Sequence, residues 1–164
     1  MSVIGRGDQA GLIGESAIVY PLSALMPIGL AVPIVGDAII PVTVTGNILG
    51  GVWRHTTTSD LNSFDVSCLL QSGSYTLYLV GVTFSSYGKS DIYYRHEDDT
   101  DFTLLAAGDD WYSAGSVVNV VKSHAITISK SGRIVFRVVI NGKNASSSSY
   151  ILSLAYIALR QLVG

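Results

Sequence analysis

Four kinds of residue in this chain are able to do chemistry. They are acidic clusters, aromatic–acid neighbours, three histidines and one cysteine. The run Glu97-Asp98-Asp99-Thr-Asp101 offers oxygen ligands to calcium, which takes six to eight of them. It lacks the Asp-x-Asp-x-Asp-Gly order of a calcium loop, so it reads as a solvated hairpin tip between Tyr93-Tyr94 and Phe102. Asp109-Asp110 precede Trp111-Tyr112, and that combination suits sugar: aromatic faces stack on pyranose rings while acids hold hydroxyls. Trp53 and Tyr93-Tyr94 are further candidates for such a platform, and core or interface packing is the competing use of all these rings. His55, His96 and His124 show no metal-ligand spacing. Cys68, in Val66-Ser-Cys-Leu-Leu70, has no histidine placed to activate it and reads as a small buried hydrophobe. The chain has no Gly-x-Ser-x-Gly elbow, His-Glu-x-x-His pair or phosphate loop, and nothing singles out a carboxylate pair for glycoside hydrolysis. No catalytic residue, metal ligand or cofactor is therefore assigned.

The elements that must position these residues read as strands. Tyr75–Phe84 is rich in β-branched and aromatic residues and is bounded by Gly/Ser pairs. Ile134, Phe136, Val138 and Ile140 alternate with Arg133, Val135, Arg137 and Val139. Residues 150–162 have helix-like composition but a period near two, which predicts a long strand. Further strands are expected at 52–57, 64–70, 90–95, 101–106, 116–121 and 124–129. Gly81, inside a strand, marks a bulge or a close backbone approach. Short strands with frequent turn signals predict an all-β fold, a β-sandwich or jelly roll, over residues 51–164.

Residues 1–50 differ. They carry four charged residues, Arg6, Asp8, Glu15 and Asp37, while the body carries eighteen. Ser16 to Gly36 has no charge at all, and prolines stand at 21, 27, 33 and 41. Each interior proline costs a helix about 3 kcal/mol, so a membrane-spanning helix is not expected. An extended apolar N-terminal arm, or a set of edge strands, fits better. Such a segment needs a covering surface: its own body, a sister subunit or another protein, with burial between subunits favoured. The contact residues expected there are Ile18, Tyr20, Leu22, Leu25, Met26, Ile28, Leu30, Val32, Ile34 and Val35. Whole-chain composition agrees, with 48% hydrophobic residues and only 13% charged. A net charge of −2 without a basic cluster argues against nucleic acid. Met1–Asp8 lacks the pattern of a secretion signal. Its Arg-Gly-Asp tripeptide, and the sequon Asn144-Ala-Ser146, are short enough to arise by chance.

Residues Ile128–Leu154, above all Asn141-Gly-Lys-Asn-Ala-Ser-Ser-Ser-Ser-Tyr150 between two alternating strands, resemble the last hairpin of β-sandwich domains in tailed-bacteriophage structural proteins. Those are head decoration (cement) proteins and tail or fibre appendages. The similarity is clear over residues 120–160, extends less closely over 51–120 and leaves out the arm. In the hairpin, Asn-Gly supplies a positive φ while Asn144 and the serines cap their own backbone. The resemblance implies a non-enzymatic virion protein made in the host cytoplasm: a homotrimer on the outer surface of the phage head, bound to the major capsid protein and stabilising the shell. The alternatives are a tail-fibre or receptor-binding module for host glycans, for which the aromatic–acid cluster offers Asp109, Asp110, Trp111 and Tyr112 as contacts, or a minor tail subunit.

Overall fold

The computed structural model describes residues 24–28, 31–35, 39–42, 52–55 and 61–162. Eleven strands run in chain order: β1 (Ala24–Pro27), β2 (Val32–Val35), β3 (Ile39–Val42), β4 (Val52–His55), β5 (Ser63–Leu70), β6 (Gly73–Thr83), β7 (Gly88–His96), β8 (Thr103–Asp110), β9 (Val117–Ile128), β10 (Gly132–Lys143) and β11 (Leu152–Gln161). They form two antiparallel sheets. One has the order β3-β4-β11-β6-β9, with β1 sharing the β11 edge beside β4; the other is β2-β5-β10-β7-β8. The fold is an all-β sandwich, as the alternation predicts.

The core lies between the sheets. Ile134, Phe136, Val138 and Ile140 of β10 face Tyr75, Leu77 and Leu79 of β6, and all are buried. Along β11 the buried set begins on even positions, Leu152 and Leu154, and continues on odd ones, Ile157 and Leu159. A bulge between Leu154 and Tyr156 shifts the parity. That shift is why the segment's composition leaves helix and strand hard to separate. Gly81 meets both expectations for it. The ladder to β9 shifts register just after it, and a Cβ there would stand 2.4 Å from the Ser153 carbonyl oxygen.

Three expectations need correction. Residues 116–121 and 124–129 form one strand, β9, because Val120–Ile128 pair without interruption against β6. Asn141-Gly142 does not make the reversal: β10 continues through Lys143, and Gly142, at φ +82°, sits where the β10–β7 register shifts. The chain turns at Asn144–Ser147 instead, where Asn144 Oδ1 accepts from the Ser146 N–H (3.0 Å) and the Asn144 carbonyl from the Ser147 N–H (2.9 Å). Finally, β10 and β11 are not a hairpin. They belong to opposite sheets, and residues 144–151 arch across the end of the sandwich. Both strands are alternating and well formed, which satisfies a hairpin and an arch alike.

Within the first fifty residues, β1 pairs with β11 and β2 with β5, so both are edge strands of the body's own sheets. β3 pairs with β4 across the expected boundary. Met26 and Ile28 are buried in the core of this same chain, which corrects the expectation of intersubunit burial for those two. Leu25, Val32, Ile34 and Val35 are exposed. Ile18, Tyr20, Leu22 and Leu30 lie outside the described residues. No helix among the described residues is long and apolar enough to cross a membrane.

Candidate functional site

Three connections meet at one end of the sandwich: residues 84–87 between β6 and β7, 111–116 between β8 and β9, and 144–151 between β10 and β11. Backbone bonds lace them together. The Phe84 N–H donates to the Trp111 carbonyl (3.2 Å), Ser113 to Phe84 (3.3 Å), Ser148 to Ser85 (3.1 Å) and Ile151 to Ser86 (3.3 Å). Ser147 Oγ donates to the Tyr87 carbonyl at 2.7 Å. Loops tied this way lose little further freedom when a ligand arrives.

Asp91 sets the approach of β8 to this end. Its carboxylate is buried, accepts the Gly108 N–H at 2.8 Å and takes the Asn141 amide on its other oxygen. Gly108 has φ +73°, a conformation most side chains resist. The pinned bulge then delivers two acids. Asp109 accepts from His124 Nε2 at 2.8 Å. Asp110 accepts from the Tyr112 N–H (2.9 Å) and from Asn144 Nδ2 (2.8 Å).

Trp111 corrects the sequence expectation. It is fully buried, its Nε1–H donates to Ser90 Oγ at 2.9 Å, and Lys122 Nζ stands 5.7 Å from its ring centre. The indole occupies the space that Gly81 leaves open: a Cβ on Gly81 would come within 3.1 Å of it. It therefore supports the corner from below and cannot stack on a ligand. Asp110 and Tyr112 come together there, whereas Asp109, one residue earlier on the strand, points to the opposite face and meets His124 of β9. Asn144 joins Asp110 through its amide, and Phe84 and Tyr150 lie on the neighbouring connections; none of the three stands out in the sequence as a ligand contact. Phe84 is 41% exposed and packs edge-on against Tyr87; Tyr150 is half-buried, with Lys143 Nζ 4.9 Å from its ring centre. The Ser- and Asn-rich turns signalled loops but not which loops would meet.

The other candidates disperse. Tyr93 and Tyr94 are successive strand residues and point to opposite faces, so they do not form one platform. Trp53 lies on β4, in the other sheet. The acidic turn after β7 is occupied locally: Glu97 caps the Arg133 N–H (3.1 Å), Asp99 caps the His96 N–H (3.2 Å) and Asp98 pairs with Lys130. Among the described residues no three His, Cys, Asp or Glu side chains gather to hold a metal. Cys68 is half-buried, and burial pushes its thiol up to about 11, so it stays protonated and unreactive at neutral pH. On the outer face of the five-stranded sheet, Arg137 clasps Asp65 with two bonds (2.7 and 2.9 Å) and stacks 4.1 Å from the centre of Phe102.

No protein-family model matches the chain, and no curated protein matches it. Solved structures do share its fold. A Paenibacillus xanthan lyase superposes with TM-score 0.72 at 16% identity, over 91% of this chain but only 14% of the lyase. The CBM22-1 xylan-binding domain of Paenibacillus barcinonensis Xyn10C gives 0.63 at 9% identity, covering 91% and 99% of the two chains. The carbohydrate binding module CBM6cm-2 of Cellvibrio mixtus lichenase 5A, in complex with cellotriose, gives 0.54 at 13% identity, covering 87% and 100%. Likeness at such identities speaks to architecture alone. The chain is a jelly-roll β-sandwich of the kind on which these modules are built.

Proposed function

We propose that this chain is a non-enzymatic binding module that takes carbohydrate at the three-loop end of its sandwich. The observation that carries the reading is the laced corner itself. Phe84, Tyr112 and Tyr150 lie one on each of the three connections, which backbone bonds fix to one another, and Asp110 accepts the Asn144 amide from the neighbouring connection. Aromatic rings suit the apolar face of a sugar ring, and the pair retains acceptor capacity for hydroxyls. Solved carbohydrate-binding modules of the same fold support the class of ligand. A virion appendage, with a host-surface glycan as the target, is the setting proposed; it rests on the sequence resemblance of residues 128–154 alone, since β10 and β11 form no hairpin.

Glycan-array binding by the wild-type chain, lost in Tyr112→Ala and at least tenfold weaker in Asp110→Ala, is the expected outcome. An array without a hit, or binding indifferent to both substitutions, contradicts the reading. Trp111→Ala is no test, because that ring supports the corner rather than lining it.

A second reading is capsid decoration, with the major capsid protein as partner. The exposed apolar side chains Val32, Ile34 and Val35 favour it, since a protein surface is what such a strand lacks. Co-sedimentation with assembled heads, lost in Ile34→Asp, is its test.

A further inference from the structure

β8 is placed by polar ties more than by packing. Of its eight residues, Thr103, Leu104, Ala107 and Gly108 are exposed, the other four are half-buried and none is buried. Only Leu105 and Ala106 pack against the core. A buried apolar face is what usually sets a strand's register and roll, and β8 has little of one. Its ladder to β7 shifts register twice, between Ser90 and Ile92 and between Ile92 and Tyr93. Among the described residues no strand lies on its other side.

Three bonds from three other elements hold the last residues of β8. Asp91 of β7 accepts the Gly108 N–H, His124 of β9 donates to Asp109, and Asn144 of the arch donates to Asp110. Of these, the His124 bond comes from the opposite sheet. Among the described residues β8 and β9 are the last strands of their sheets, so the bond clasps one sheet to the other along that side. Both side chains are largely out of water, His124 at 20% exposure and Asp109 at 13%. Ile126 and Ile128 are buried, and His124 continues their inward face of β9. Lys122, the next residue on that face, is engaged over the Trp111 ring.

Asp109 and Asp110 are successive and lie on opposite faces of β8. A donor that holds Asp109 inward therefore sets the roll of the strand, and with it the direction of Asp110. Without that donor the Asp109 carboxylate would be left half-buried and unpaired, and it would gain by turning out to water. That turn would carry Asp110 away from Asn144.

We propose that His124 is a positioning residue of the loop-end site: from the opposite sheet it holds Asp109 inward and so aims Asp110 at Asn144 and at the ligand. That the ligand is a sugar rests on the reading above, whereas the coupling from His124 to the Asp110–Asn144 pair belongs to the free chain.

Nuclear magnetic resonance of the ligand-free chain tests the coupling. His124→Val removes the donor and keeps a residue that suits a strand. In it the Asn144 side-chain amide protons should move to the positions of a solvent-exposed amide, and exchange at the Tyr112 N–H should quicken about tenfold. The Trp111 indole N–H, bonded to Ser90, should stay where it is. His124→Gln, whose amide offers a donor near the place of Nε2, should keep the wild-type pattern. A double-mutant cycle then reads the site. His124→Val should weaken oligosaccharide binding about tenfold in the wild-type background and not at all beside Asp110→Ala, because it acts through Asp110. Unmoved Asn144 amide protons in a folded His124→Val, an equal disturbance at the Trp111 indole, or a loss of affinity that persists beside Asp110→Ala overturns the proposal. A wild type that binds no sugar would fail the carbohydrate reading alone, and the amide measurements would still decide the positioning.

Discussion

The three-loop end and the β2 edge are opposites in how they meet solvent. At the loop end, polar groups are matched: Asp91, Asp109 and Asp110 each accept identified donors, and the backbone of one loop bonds to the next. At the edge, valines and an isoleucine stand exposed beside a groove that, among the described residues, holds no strand. A matched, rigid, partly aromatic surface can exchange hydrogen bonds with a small polar ligand at little entropic cost. An unmatched apolar surface gains only by losing water, and gains most against another protein. On the reading proposed above, the loop end is the part of this sandwich suited to recognition, while the β2 edge exposes apolar side chains.

The comparison breaks most severely at Trp111. Its replacement by alanine removes the support beneath the loop end and opens a large cavity, and should cost about 4 kcal/mol in urea unfolding. A loss under about 1 kcal/mol would mean that the corner does not rest on the indole. Next comes Asp91→Ala. It leaves the Gly108 N–H and the Asn141 amide without their acceptor in a buried place, so about 2 kcal/mol of stability should go. Amide hydrogen exchange should quicken at Gly108 and not at β2. Equal quickening at both places would show that the two regions are not independent.

The smallest effect belongs to the acidic turn, which lies apart from both regions. Hydrogen bonding to Lys130 holds the Asp98 carboxyl below its usual 3.8, so this contribution is present above about pH 3.8 and fades as pH falls through the lowered value. The pair is fully exposed, and salt should screen it. In Lys130→Ala the Asp98 titration followed by NMR should return toward 3.8; an unmoved midpoint would remove the ion pair from the account.

Strands were legible wherever one face is buried. The even positions of β10 and the Gly-bounded run of β6 announce themselves by period. The bulge in β11 blurred the same signal, because its buried face changes parity midway. Sheet partners were not legible: β10 and β11 have the pattern of a hairpin, and only the packing of the whole chain places them in opposite sheets. The candidate site shows the same division. Tyr112, Asp109 and Asp110 stand out as neighbours in sequence. The inward turn of Trp111 depends on the missing side chain at Gly81, thirty residues earlier, and Asn144 reaches Asp110 only through the arch. Cys68 was readable as inert because its apolar neighbours already imply burial.

The most direct test of the central claim is a chemical-shift titration of the isotope-labelled chain with the strongest oligosaccharide from a glycan array. Saturable shifts confined to Phe84, Tyr112, Asn144 and the serines of the arch, with β2 unmoved, are predicted. Shifts centred elsewhere on the sandwich, or none at any sugar concentration, would contradict it.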